Sequence, residues 1–284
     1  MTRSGPQRYP GASTSAWYQG RYGGDAMESN VIVWHTTEGT SVPSYEGGRS
    51  APNFTASPDF KRQRLVWYQH FDFDTSSRAL VNRGGGVETN TLNAAQVEIV
   101  GTCDPDTHRR WGSMPHLYTP ELPSWAIRDL AAFARWAHDQ HGVPLTCGVQ
   151  WRAYPGSYGA SSVRMSYAAW NAYRGHCGHQ HVPENDHGDP GALPMDAILA
   201  AAKGGPTPED DMALTDADVK KIWAYPLINP IDKGPDNTRQ AGTFLRYSDH
   251  RQVVLLSRLD AALARLDHIE TALKTISDRL NTNS

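Results

Sequence analysis

The chain has 284 residues, a formal net charge of −3, 39% hydrophobic residues and 20% charged residues. That length supports one good-sized core plus a smaller module, and the composition excludes a chain disordered throughout. The lack of a polybasic stretch argues against a nucleic-acid partner, and no apolar run approaches the roughly 20 residues of a membrane span.

Residues 1–9 are polar, contain Pro6 and have no apolar signal core behind them, which predicts a chain not exported by the usual secretory route. Residues 1–25, rich in Gly, Ser, Tyr and Arg and without periodicity, predict an irregular arm. Asn30-Val31-Ile32-Val33-Trp34 is a short β-rich run that predicts a buried strand with His35 at its end. A second strand is expected over 65–71 and a third over 95–101. In the third, Val97 and Ile99 share one face while Gln96, Glu98 and Val100 share the other, so a buried strand carries a carboxylate that needs a reason.

Thr119-Pro120-Glu121 predicts a helix start, with Ile127, Leu130, Ala131, Ala134 and Ala137 at helical spacing and a stop near Gly142. Further helices are expected over 166–173 and 195–202. Strands interleaved with helices give an α/β domain over residues 26–202. Residues 203–211 read as a Gly/Pro/acid linker, and 212–248 as a small mixed segment. Over 249–284, Leu259, Leu266, Leu273 and Leu280 repeat every seven residues. Leu255, Ala262, Ile269 and Ile276 interleave with them, which predicts a coiled-coil helix joining several copies of the chain. A helix packed on its own chain is the alternative.

Cys103, Cys147 and Cys177 are odd in number and widely spaced, so reduced thiols are expected in place of a disulfide framework. Histidines cluster in the loop after Gly178: His179, His181 and His187, beside Glu184, Asp186 and Asp189. With His35 at a strand end, this loop offers nitrogen and oxygen ligands for a cation such as zinc. Two histidines and one carboxylate leave an open position, as catalytic zinc sites do. Loops of this kind also occur without metal, and His181 competes with His179 as a ligand. Glu98 has a structural alternative too, as a partner of Arg78 or Arg83.

The segments Val31-Ile32-Val33-Trp34-His35-Thr36-Thr37, Gln96-Val97-Glu98-Ile99-Val100-Gly101 and Gly178-His179…Asp189-Pro190-Gly191 follow one another in an order that resembles the type 2 N-acetylmuramoyl-L-alanine amidases, which share their fold with peptidoglycan recognition proteins. Gly101-Thr102-Cys103-Asp104 and Gly85-Gly86-Val87-Glu88-Thr89-Asn90 are most similar to amidase domains in endolysins of actinobacteriophages. The resemblance covers roughly residues 28–200. It implies a central mixed β-sheet flanked by helices and a zinc ion held by His35, His179 and Asp189. It also implies Glu98 as the acid/base and His187 as a donor to the oxyanion, where many members have Lys. Members often carry a Tyr in the strand after the first ligand. Here that stretch reads Ala51-Pro52-Asn53-Phe54, which shifts the acid/base role onto Glu98.

The function so implied is hydrolysis of the amide between the lactyl group of N-acetylmuramic acid and L-alanine in bacterial peptidoglycan. The protein would be a lysin retained in the host cytoplasm until a holin releases it, and its tail would bind the wall or join copies. Met212, directly after the linker, is a candidate internal start. A cytosolic amidase recycling soluble muropeptides and a non-catalytic peptidoglycan-binding protein are the competing readings.

Overall fold

The computed structural model describes residues 5–204 and, beyond them, residues 220, 223, 224, 226–228, 238–240, 252, 255–266, 270 and 274. The chain divides into two compact units, Met1–Met212 and Ala213–Ser284. In the first, the elements run α1 (Gln19–Tyr22), β1 (Val31–Thr36), α2 (Tyr45–Gly48), β2 (Phe54–Asp59), β3 (Arg64–Gln69), β4 (Ala94–Ile99), α3 (Pro105–Trp111), α4 (Ser124–His141), α5 (Tyr167–Ala172), β5 (Gly175–Gly178) and α6 (Met195–Ala202). Single 3-10 turns lie at Thr119–Glu121 and His179–His181. In the second unit, β6 (Pro226–Ile228) pairs antiparallel with β7 (Thr238–Gln240), and residues 255–266 are helical. Most of the expected linker and of the 212–248 segment, and the heptads after Leu266, fall outside the described residues.

The first unit is an α/β fold with a mixed five-stranded sheet in the order β3-β2-β4-β1-β5. β2, β4, β1 and β5 run parallel, and β3 is the antiparallel edge. All six residues of β1 are buried, as expected for a parallel strand covered on both faces. One face carries Ile32, Trp34, Phe54, Ala95, Val97 and Ile99, packed with α4 and α6 residues such as Leu130, Phe133 and Ile198. The other carries Val31, Val33, Ala94 and Cys177 under Leu80, Trp170 and Val182. Cys103 and Cys177 are buried free thiols, and Cys147 is half-buried and free.

α4 has the predicted periodicity and stops where expected. Gly142 adopts a left-handed conformation (φ 70°), its N–H bonds the His138 carbonyl and the Val143 N–H bonds that of Ala137. Its start differs from the sequence reading. Thr119-Pro120-Glu121 makes only a 3-10 turn, Leu122 and Pro123 are extended, and the helix begins at Ser124. Pro123 disfavours helical backbone at Leu122, so the chain cannot run straight on from Pro120. β2, β5 and α3 were not expected. β2 contains Pro58, which normally demotes a strand, but Pro58 lies past Ala56, the last residue paired with β4. β5 is only Gly-His-Cys-Gly, with no β-branched residue to mark it.

Among its described residues the arm is irregular as expected, with α1 as one short helix, and it is bonded to the sheet domain. Gln7 Nε2 donates to Asp74 (2.7 Å) and Gln7 Oε1 accepts from the Asp74 N–H (2.9 Å). Tyr9 packs edge-on against Trp67, Phe133 and Trp136. Asp74 is fully buried, accepts from the Ser29 N–H at 2.9 Å and lies 3.2 Å from His141, whose Nε2 bonds the Pro6 carbonyl. Burial pushes the Asp74 carboxyl up, but His141, Gln7 and the Ser29 N–H outweigh it and hold the group below the usual range. A group held low stabilises the fold above its unfolded value and loses that contribution as pH falls through the folded one. Asp74→Ala leaves buried donors unpaired and should cost about 3–5 kcal/mol in urea unfolding at pH 7. The deficit should shrink in acid, where the wild type loses the same stabilisation.

Candidate metal centre

The sheet register assembles one polar row at the carboxyl ends of the parallel strands. His35 of β1 is the register partner of Glu98 on β4, and Glu98 is also the partner of Thr55 on β2. Register partners on adjacent strands point to the same face. On the other side of β1, Trp34 pairs with Gly178, so the next residues, His35 and His179, stand side by side. The row therefore reads Thr55, Glu98, His35, His179, on the face opposite the α4 and α6 core.

Asp189 closes the group from the following loop. His35 Nδ1 lies 3.1 Å from His179 Nδ1 and 3.5 Å from Asp189 Oδ2, and His179 Nδ1 lies 3.2 Å from Asp189 Oδ1. A tetrahedral zinc site with metal–ligand bonds of about 2.0–2.1 Å has ligand–ligand edges of about 3.3–3.4 Å, so the donor set fits such an ion. Among the described residues this is the one cluster of at least three such side chains with metal-binding spacing.

The tautomer of His35 follows from its neighbour. Gln96 Oε1, an acceptor, lies 2.8 Å from His35 Nε2, so that nitrogen carries the proton and Nδ1 presents a lone pair to the group. Burial pushes His179 down to about 4, which leaves it neutral near pH 7. Burial raises Asp189, but His179 and His35 more than offset this and hold its carboxyl well below the ordinary range. Burial lowers His35, yet Asp189 and Glu98 raise it above its usual value on balance. The shifts of His35 and Asp189 show a site that favours positive charge, while His179 stays neutral and keeps a nitrogen lone pair.

The loop that carries His179 and Asp189 is held from several directions. The Thr36 N–H donates to Asp189 Oδ2 at 3.2 Å. Buried Gln180 accepts from the Arg152 N–H at 3.0 Å and donates to the Gly191 carbonyl at 2.6 Å. At Gly178 a Cβ would lie 2.7 Å from both Pro190 and Trp151, so only glycine admits this approach. Arg164, which the sequence reading did not single out, is the main clamp. Its guanidinium donates to the carbonyls of Gly159, His179, Val182 and His187 and to Asn185 Oδ1, at 2.7–3.4 Å. No sequence pattern marks an arginine whose partners are backbone carbonyls of a distant loop.

The remaining candidates fall into distinct places. His187 has a side chain 67% exposed, stacks on His179 at 4.4 Å with rings nearly parallel, and lies 3.8 Å from Asp189. His181 is turned away: its Nδ1 accepts from the Gly178 N–H and its Nε2 bonds the Gln150 carbonyl, so it is not the ligand. His176 bonds the Trp34 indole in the core, and Trp34 and Trp170 are core residues. Arg78 bonds the Arg49 carbonyl, and Glu98 Oε2 is buried without any partner. The structural pairing of Glu98 with Arg78 or Arg83 is therefore not seen.

A tyrosine outside residues 51–54 does stand next to Thr55, the register partner of Glu98. Tyr45 of α2, buried and at φ 50°, bonds Thr55 Oγ1 at 2.6 Å, and Thr55 Oγ1 bonds His70 Nε2 at 2.9 Å. His70 Nδ1 lies 2.7 Å from the Ala16 carbonyl, which only accepts. His70, lowered by burial, is neutral, so protons point from Tyr45 to Thr55 to His70 to Ala16. Burial, with Glu98 next, raises the Tyr45 hydroxyl and keeps it protonated.

No protein-family model matches the chain, and no curated protein matches it. The site therefore rests on its own geometry.

Burial pushes Glu98 up to about 7, with Asp189 and Glu38 adding to the rise and His35 opposing it. In the metal-free protein, stability should fall as pH rises from the unfolded value of 4.5 toward 7, because the folded state disfavours the ionised form. Glu98→Gln should remove that fall, raising Tm above pH 7 and leaving it unchanged below pH 4, as read by calorimetry. Arg164→Met should weaken zinc affinity about 10–100-fold, since partners that orient ligands are worth that much. Added guanidinium should restore part of that affinity in a cobalt(II) titration, whereas an unfolded variant would not respond.

Proposed function

We propose that the chain is a zinc-dependent N-acetylmuramoyl-L-alanine amidase that cuts bacterial peptidoglycan, a phage lysin in role. The observation that carries this reading is the convergence of two imidazole nitrogens and one carboxylate at tetrahedral edge lengths, beside Glu98, whose buried Oε2 has no partner. The sequence resemblance of the same four residues to the type 2 amidases supplies the substrate class.

Bound zinc supplies Lewis-acid polarisation of a carbonyl and lowers the pKa of a coordinated water to about 7. His35, His179 and Asp189 would hold the ion, with Gln96 and the Thr36 N–H keeping two of them oriented. Glu98 takes the proton from the attacking water and returns it to the leaving L-alanine nitrogen. A nearby dication favours the ionised carboxylate and so brings Glu98 down from its metal-free value. Tyr45, with its proton committed to Thr55, offers Glu98's neighbourhood only acceptor lone pairs and does not compete to donate. His187, exposed at the rim, donates a hydrogen bond to the developing oxyanion. Its stacking on His179 sets the plane from which it reaches the substrate.

The tail supports assembly into oligomers through a coiled coil. Residues 255–266 are helical, and Leu255, Leu259 and Leu266 of the heptad seam are exposed, as are Leu256 and Leu263. Several catalytic units on one coiled coil would bind a polymeric wall with higher avidity.

Mass spectrometry of products from intact actinobacterial peptidoglycan, with and without chelator, tests the reading. Peptides with a free N-terminal L-alanine should appear and should vanish on chelation. His35→Ala should abolish turnover, and His187→Ala should lower kcat about 10²–10³-fold. Activity confined to soluble muropeptides would favour the recycling enzyme. Wall binding without any cleavage would favour a recognition protein.

A further inference from the structure

Outside the metal centre, Tyr22, Asp25, Arg49, Ser77, Arg78 and Asn90 line a cleft of about 420 Å³. Asp25 precedes β1 and Asn90 precedes β4, so the cleft adjoins the segments that enter the amino ends of the strands. The metal-binding row lies at the opposite, carboxyl ends.

The charged groups of this cleft are unused by the fold. Among the described residues, the Arg49 guanidinium and the Asp25 carboxylate have no hydrogen bond or ion pair. Arg78 donates only its Nε, to the Arg49 carbonyl at 2.9 Å, and its guanidinium lies 5.1 Å from the Tyr22 ring. Both of its terminal nitrogens stay available. Gly23 and Gly24 adopt positive φ (67° and 136°), and a Cβ at Gly24 would lie 2.4 Å from the Ser76 carbonyl, so this wall depends on glycine.

The cleft lining also contains two buried side chains with an atom left over. Ser77 and Asn90 are 4% and 7% exposed, and Ser77 Oγ and Asn90 Oδ1 have no partner. Asn90 is held rigidly: its Nδ2 donates to the Ser77 carbonyl at 2.7 Å and its N–H to Asn82 Oδ1 at 2.9 Å. Its side chain therefore braces the wall of the cleft from inside.

Taken together, the cleft lining offers two guanidiniums for an anion and the Asp25 carboxylate, which accepts from N–H groups. The carboxylate would repel a phosphate, and a neutral sugar would leave both guanidiniums unanswered. A carboxylate adjacent to an amine or amide N–H answers every group, and the Tyr22 ring supplies an apolar wall. We propose that this cleft is a binding site for the carboxylate end of an amino acid or short peptide, separate from the metal centre.

The test is calorimetric titration of the full-length protein with L-alanyl-L-alanine, with the same dipeptide as its C-terminal amide, and with inorganic phosphate. The dipeptide should bind with Kd on the order of 0.1–1 mM, a value ordinary for a ligand of this size. The amide should bind at least about 10-fold more weakly, and Arg49→Ala and Arg78→Ala should each cost about 10-fold, as expected for a charge-assisted bond. Arg49 is exposed, so its replacement leaves the fold intact. His35→Ala, which removes the metal site, should bind the dipeptide as the wild type does. Failure of the amidase reading is thus separate from failure of this one. Equal binding of acid and amide, indifference to Arg49→Ala, tighter binding of phosphate, or no binding up to about 10 mM would each overturn the assignment.

Discussion

Two imidazole lone pairs and a carboxylate that meet within about 3–3.5 Å in a buried site form the constraint around which this molecule is organised. Such a group is electrostatically unbalanced unless positive charge sits in its centre. The surrounding structure accepts this imbalance and holds it in place. Gln96 sets one imidazole, the Thr36 N–H sets the carboxylate, and the Arg164 guanidinium ties together the carbonyls of the loop that brings the other two ligands in.

The sheet explains why those groups meet. Parallel strands present their carboxyl ends on one side, where loops converge and ligands commonly sit. β1 contributes His35 near its carboxyl end, and β4 contributes Glu98 as its neighbour in register. β5 ends one residue before His179. The α4 and α6 core covers one face completely, so the site forms on the other, above the smaller cluster of Val31, Val33 and Trp170. The arm reaches this site as well, because the Ala16 carbonyl ends the hydrogen-bonded chain that starts at Tyr45. An arm that reads as irregular is thus part of the support behind Glu98.

Legibility in the sequence followed the type of signal. The strand run ending at His35, the alternation that isolates Glu98, and the periodicity and Gly142 stop of α4 are local patterns and were readable. So was the histidine loop as a source of nitrogen and oxygen ligands, although its spacing alone left His179 and His181 in competition. The start of α4 was misread because the proline at 120 suits a helix start while the one at 123 resets the backbone, and the second effect prevails. β5 was missed because four residues bounded by glycine hold no periodicity. They form a strand because β1 offers open backbone partners there.

By itself the sequence determined which residue types were available for chemistry, which faces of β4 and α4 turn inward, and where the histidine-rich loop lies. These depend on local spacing, a property of the chain alone. Only the tertiary structure decided that His179 and not His181 faces His35, and that Glu98 is left without an arginine partner. It also decided that Tyr45 takes up the place behind Glu98, and that Arg164 clamps the loop. Each depends on register between strands or on bonds to backbone carbonyls far away in the chain, and neither leaves a mark in local residue spacing.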